Sequence, residues 1–258
     1  MSDEVLISTK GSIATVTLNR PSVHNALNVR TYERLPRIFK QIDEDPKIKV
    51  MILRGAGGKA FASGADITEF ERERGNAAAA KVYNEKVANA EQTLEGMGKP
   101  TIAIIHGYCI GGGAGLALAC DIRFADENAR FAITPAKLGL VYSLESTRRL
   151  VELVGPSRSK WILMSGLPLG ASRCLELGLF DEVFEKALLQ DATVSLAETI
   201  STRAQVSVRA AKEMVRRVAL GQVRDDAETI DIRNSSFDTE DFKEGVKSFL
   251  AKRAPNFK

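Results

Sequence analysis

The stretch "HGYCIGGGAGLALACD", His106–Asp121, limits the possible folds of this chain more than any other. An apolar, strand-like run ends in three consecutive glycines, Gly111–Gly113, and a helix-like run of small and apolar residues with Gly115 comes next. Glycines at a helix start let other atoms come close to the backbone. The first amides of a helix have no internal partner and carry the positive end of its dipole, so strand, glycine loop and helix together form an anion-binding geometry. Gly111, Gly113 and Gly115 show GxG spacing but do not complete the dinucleotide fingerprint. No Gly-Lys-Ser/Thr comes after them, which excludes a phosphate-binding P-loop. Taken alone, the run is equally compatible with close helix packing.

The surrounding pattern is that of an α/β chain. Val5–Ser8 and Ile13–Leu18 read as strands of a hairpin turning at Lys10-Gly11. Asn28 is the expected N-cap of a helix reaching about Asp43, with Leu35, Ile38, Phe39 and Ile42 on one face and Pro36 inside it. Val50–Gly57 and Thr101–Gly107 read as apolar strands separated by a polar, Ala-rich helix over Ala77–Glu95. Ile122–Ile133 suggests two further short strands. Strands alternating with helices predict right-handed crossovers and a largely parallel sheet. After Ser143 the pattern is nearly all helical: Glu145–Leu153, Ser157–Ser165, Ala171–Leu177, Ala187–Thr202, Ser207–Leu220, Asp225–Ser235 and Thr239–Lys252. The expected division is a core over residues 1–195 and a helical C-terminal region over 196–258.

The 258 residues are 44% apolar, enough for one large core. A net charge of only +3, with acids and bases interspersed, indicates neither a nucleic-acid nor a membrane partner. No run of about 18 apolar residues predicts a transmembrane helix. The N-terminal residues alternate and lack the apolar core of a signal peptide. Cys109, Cys120 and Cys174 form no metal-ligand spacing, and the expectation is buried, reduced thiols in a cytoplasmic protein without a metal.

A second loop, "GKAFASGADITEF" (Gly58–Phe70), ends another strand in small residues, with Asp66 placed to cap a helix after it. Two such loops can each aim an amide at one carbonyl oxygen, and one donor of that kind contributes about 3–4 kcal/mol to lowering a barrier. Together with "NRPSVHNALN", "GYCIGGGAGLALACDIRFADENARF" and the terminal "EGVKSFLAKRAPNF", this loop resembles the crotonase, or enoyl-CoA hydratase/isomerase, superfamily over nearly the whole chain. The resemblance implies a crotonase-like ββα spiral core with a helical C-terminal trimerisation region, and a homotrimer or hexamer. It implies an acyl-CoA thioester substrate, so that coenzyme A enters with the substrate and no cofactor is permanently bound. It also implies an enolate held by the amides of Ala65 and Gly112. Ala62, Ser63, Asp66 and Ile67 would flank the adenine, and Phe249 and Lys252 match positions that touch a neighbouring subunit's CoA.

The chain departs from the hydratases of this superfamily at both of their glutamates, where it carries Gly115 and Pro135. Neither can take a proton, and acid–base catalysis needs a titratable group within reach. "TP..LG..Y", ending at Tyr142, resembles the acyl-CoA decarboxylase branch, such as methylmalonyl-CoA decarboxylase, although that branch keeps an acid where this chain has Gly115. The resemblance gives Tyr142 the role of placing a substrate carboxylate. Glu145 is either a lone base or a first-turn acid favoured by the helix dipole, and Ser143 reads as an N-cap rather than a nucleophile. His106 reads as structural, His24 as an exposed loop histidine unless it touches a CoA phosphate, and Cys109 as a buried thiol. Three functions stay open at this point: a decarboxylase-type acyl-CoA lyase, a hydratase or isomerase with a non-standard acid/base such as Glu145, and a CoA-thioester-binding protein of little activity.

Overall fold

A computed structural model describes residues 3–257. The hairpin forms as expected, with β1 (Val5–Lys10) antiparallel to β2 (Ile13–Leu18). Helix α1 (Val29–Glu44) comes next, its first turn closed by Asn28 Oδ1 accepting from the Thr31 amide at 2.9 Å. The chain then repeats one unit three times. Strands β3 (Val50–Gly55) and β4 (Ala60–Ala62) lead into α2 (Phe70–Arg74) and α3 (Ala77–Glu95). Strands β5 (Thr101–Ile105) and β6 (Tyr108–Ile110) lead into α4 (Gly112–Ala119). Strands β7 (Ile122–Asp126) and β8 (Arg130–Ala132) lead into α5 (Leu144–Ser165). The remainder is β9 (Leu169–Gly170), α6 (Ala171–Leu177), β10 (Glu182–Phe184), α7 (Leu189–Ser201), α8 (Gln205–Ala219), α9 (Ala227–Ser235) and α10 (Glu240–Leu250).

The first strand of each unit joins a six-stranded sheet ordered β1-β2-β3-β5-β7-β10, and the second joins a four-stranded sheet ordered β4-β6-β8-β9. Both sheets are parallel except for β1 with β2 and β8 with β9. This is a ββα spiral. Strands β3 and β5 are apolar on both faces because both faces are covered. Val50, Ile52, Ile102 and Ile104 pack with Leu189 and Ala197 of α7, while Met51, Leu53, Ala103 and Ile105 join the main core on the other side. The boundary expected between residues 195 and 196 falls inside α7.

The tail is nearly all helical, as expected, with the short β9 and β10 extending the two sheets. The two expected helices over Glu145–Leu153 and Ser157–Ser165 form the two halves of α5, which breaks between them where Gly155 takes φ 76° ahead of Pro156. Strands β4 and β6 have no counterpart among the expected elements. They are three residues long, too short for a two-residue alternation to show.

Sharp corners carry the chain from one sheet to the other. Gly107 turns with φ 55°, and a Cβ there would lie 2.0 Å from the Lys59 carbonyl oxygen. Buried Asp126 braces this corner, accepting from His106 Nδ1 at 3.0 Å and from the Asn128 amide at 3.0 Å. The His106 contact and the backbone amides of Gly107 and Asn128 hold its carboxyl below the usual range against the opposing effect of burial. His106 is therefore a structural partner, as its place at a strand end indicates.

Candidate active site

The segment "NRPSVHNALN" positions the first loop. Buried Asn25 donates to the carbonyls of Ala56 at 3.0 Å and Ala60 at 2.8 Å, and accepts from the Arg20 amide at 3.0 Å. Arg20 reaches the Ala26 carbonyl at 2.6 Å and pairs with Asp66 at 2.8 Å. Leu27 then forms a two-bond parallel bridge around Ala65: its amide donates to the Gly64 carbonyl at 2.8 Å and its carbonyl accepts from the Asp66 amide at 2.9 Å. In such a bridge the middle residue's N–H points to the opposite side. The Ala65 amide thus faces away from Leu27, and no hydrogen-bond acceptor meets it among the described residues.

The second loop leaves β6, with the Gly111 amide donating to the Ala132 carbonyl at 2.8 Å and Gly111 at φ 53°. Gly112 is the first residue of α4, where an amide has no partner inside the helix. The two loops touch. A Cβ on Gly64 would lie 3.3 Å from the Ile110 carbonyl oxygen, and one on Gly111 would lie 3.7 Å from Gly64 Cα. The residues next after these two glycines, Ala65 and Gly112, carry the free amides. A Cβ at Gly113 would come 2.5 Å from the Ala62 carbonyl oxygen, so the helix start seats directly on β4. The glycines serve both close packing and donor exposure.

Asp66 Oδ1 caps the turn after this loop, accepting from the Thr68 amide at 3.1 Å. Its carboxyl lies below the usual range because hydrogen bonds from Thr68 and the nearby Arg20 charge outweigh burial. Ala62 is buried, Ser63 half-buried and Ile67 exposed beside it. Phe249 lies in the last turn of α10 and Lys252 just beyond it, both exposed, and no hydrogen bond or ion pair joins them to the two loops among the described residues.

One turn beyond Gly112, a Cβ at Gly115 would lie only 2.1 Å from Oε1 of Glu91 on α3. The place where the resemblance puts a hydratase glutamate is therefore filled by a carboxylate from another helix. Glu91 is buried, and its Oε2 accepts from Arg149 Nη1 at 2.6 Å and Ser146 Oγ at 2.7 Å. Arg149 also grips Glu95 at 2.7 Å. Burial raises the Glu91 carboxyl above the usual range in spite of Arg149.

Tyr142 precedes α5, and its buried hydroxyl has no hydrogen-bond partner among the described residues. Burial, and then the Glu91 charge, raise its pKa. Tyr32 Oη stands where a Cβ of Gly112 would clash, at 2.2 Å, and burial also raises its pKa. Glu145 sits on the exposed first turn of α5 and accepts two bonds from Gln92 Nε2, at 2.8 and 2.9 Å. Ser143 is the N-cap, with its Oγ accepting from the Ser146 amide at 3.1 Å. Pro135 opens a short 3₁₀ turn. All three cysteines are free and buried, and burial pushes Cys120 and Cys174 up to about 12. Among the described residues no cluster of three or more potential metal ligands occurs, and no helix is long and apolar enough to cross a membrane.

Comparison with known proteins decides the family. The model of the enoyl-CoA hydratase/isomerase family matches residues 8–258. The chain belongs to the enoyl-CoA hydratase/isomerase family. It is 33% identical over 257 residues to the short-chain-enoyl-CoA hydratase of Clostridium acetobutylicum, covering 97% of this chain and 96% of that one. It is 30% identical to the crotonyl-CoA hydratase of Syntrophomonas wolfei, covering 99% and 98%. It superposes on an enoyl-CoA hydratase/carnithine racemase crystal structure from Magnetospirillum magneticum with a TM-score of 0.95 and 35% identity, covering 100% of this chain and 96% of that one. Enzymes of this family act on CoA thioesters, and the fold is the crotonase fold.

Sequence reading missed Glu91, Arg149 and Tyr32 within this family scaffold. A signal for Glu91 existed. It falls on the stripe of Val87, Ala90 and Leu94 that α3 turns toward the core, where an acid is out of place unless it is partnered.

Proposed function

We propose that the chain binds an acyl-CoA thioester and stabilises its enolate between the amides of Ala65 and Gly112, as a carbon–carbon lyase of decarboxylase type. The observation carrying the enolate reading is the contact of the two glycine loops, with the amide after each glycine free. Loss of carbon dioxide leaves an electron pair that passes into the thioester, and hydrogen-bond donors already in place at its oxygen lower that barrier without a base to start the reaction. The absence of an acid at 135 and the unpartnered Tyr142 hydroxyl favour the lyase over water addition. Tyr142 would place the departing carboxylate. Adenine would lie along Ala62, Ser63, Asp66 and Ile67. An open cleft of 790 Å³ is lined by Arg20, Arg30, Arg34 and Arg37 together with Asp3, Glu4 and Glu33, and Arg20 links it to this loop through its pair with Asp66.

A second reading is a hydratase or isomerase with a non-standard acid/base. The hydratase activities of the relatives favour it, and Gln92 holds Glu145 close to Glu91. Self-association as a homotrimer or hexamer is part of the proposal. Val215, Val218, Phe249 and Leu250 on α8 and α10 expose large apolar area on a single chain, and a neighbour would bring Phe249 and Lys252 to its CoA. Incubation with methylmalonyl-CoA and with crotonyl-CoA separates the readings. Carbon dioxide release well above background, with little loss of the enoyl absorbance, is the expected result. Hydration of crotonyl-CoA without any release from malonyl-type thioesters would overturn the lyase in favour of the second reading.

A further inference from the structure

Gly112 and Gly115 lie three residues apart on one face of α4, so the residue-115 position looks onto the same space as the Gly112 amide, one turn deeper. Glu91 Oε1 fills that position from α3. The carboxylate is held there by a built support. Arg149 and Ser146, both buried on α5, bind its other oxygen, and Ser146 is itself fixed by Ser143 Oγ at 2.7 Å. We infer that Glu91 is the proton-transfer group of this site, a carboxylate supplied from α3 to the place that residue 115 would otherwise occupy, acting at the α-carbon of the bound thioester. The inference rests on the enolate reading above but not on the choice between lyase and isomerase.

Taking the α-proton breaks the carbon–hydrogen bond and forms an O–H bond on Glu91 Oε1. The electron pair passes into the enolate, whose oxygen sits between Ala65 and Gly112. In the reverse direction Glu91 returns a proton to the α-carbon, which is also what an enolate left by loss of carbon dioxide requires. The groups that face Glu91 are Arg149, Ser146 and Glu145 from α5, Tyr32 from α1 and Tyr142 from the segment before α5. Burial outweighs Arg149 and the Ser146 hydroxyl, which favour the charged form, and a carboxyl raised in this way takes up and releases protons nearer neutral pH than an exposed glutamate does.

The test is exchange of the α-hydrogens of butyryl-CoA in deuterated water, read by mass spectrometry on the full chain, with binding of the same thioester measured by calorimetry. Glu91→Gln, which keeps the shape and hydrogen bonds, is expected to lower exchange by on the order of 10²–10⁴ while the Kd and the circular dichroism stay near wild type. Moving the carboxylate across, by Glu91→Ala with Gly115→Glu, is expected to restore part of the exchange. Undiminished exchange in Glu91→Gln overturns the inference. Binding without exchange in the wild type also overturns it, and leaves the oxyanion reading standing. No binding of butyryl-CoA removes the enolate reading and this inference with it. Should the variants fail to fold, the wild-type pH profile decides. Exchange that rises with pH through a midpoint above the ordinary glutamate value of about 4.3 supports the inference, and a flat profile overturns it.

Discussion

Gly112→Pro, made in a Tyr32→Phe background, is expected to lower kcat by on the order of 10²–10³ relative to Tyr32→Phe alone, with little change in Tm. Proline is tolerated at the first position of a helix, and its missing N–H removes the one donor at issue. The tyrosine must be changed first. A Cβ at 112 would meet Tyr32 Oη at 2.2 Å, whereas the ring carbon behind it is 3.6 Å away, an ordinary contact, and the tip of Leu27 at 3.3 Å need give by only a few tenths of an ångström. Without that background a drop in rate would report a displaced tyrosine as readily as a lost amide. Gly111, already at a positive φ, accepts the restriction that proline places on its predecessor more readily than any other residue. Steady-state kinetics and a thermal melt of the two proteins check the expectation, and equal turnover would remove Gly112 from the mechanism.

Arg149→Met is expected to destabilise the fold by about 3–5 kcal/mol at neutral pH, because removing one member of a buried ion pair leaves the other uncompensated. The loss should depend on pH in a definite direction. Glu91 already has a folded-state pKa above its unfolded value, and without the guanidinium it moves further up. Below the unfolded value of about 4.3 the carboxyl is neutral in both states and the penalty is small. As pH rises toward and through the folded value, folding must hold a proton that the unfolded chain has released, and stability falls by up to about 1.36 kcal/mol per pH unit. Glu95 works in the opposite sense, its carboxyl held low by Arg149 and Arg148 against burial, but Arg148 remains as its partner in the variant. Thermal melts at acidic and neutral pH check this. A loss that does not vary with pH would assign the effect to side-chain packing instead of Glu91.

Much of the fold was legible from local chemistry. Asn28 announces α1 as a cap, Lys10-Gly11 announces the hairpin, and the apolar runs of β3 and β5 announce a sheet buried on both faces. The two amide-bearing loops were legible too, because stripping side chains from a helix start is unusual enough to need a reason. What escaped was set by tertiary geometry. Strands β4 and β6 are short and carry no periodic signal, and they exist because Gly107 and its neighbours turn the chain onto a second sheet. Glu91 looked like one more polar residue of an Ala-rich helix. Only the approach of α3 to Gly115 shows that its side chain stands in for one missing from α4. Glu145 drew attention by its nearness in sequence to Tyr142, yet it lies on the exposed first turn of α5, while Ser146 and Arg149 of that helix turn inward.

The most direct measurement is a crystal structure of the protein with bound butyryl-CoA. The thioester oxygen should lie about 2.7–3.1 Å from the nitrogens of both Ala65 and Gly112. A thioester seated elsewhere, or an oxygen that reaches neither nitrogen, would contradict the account.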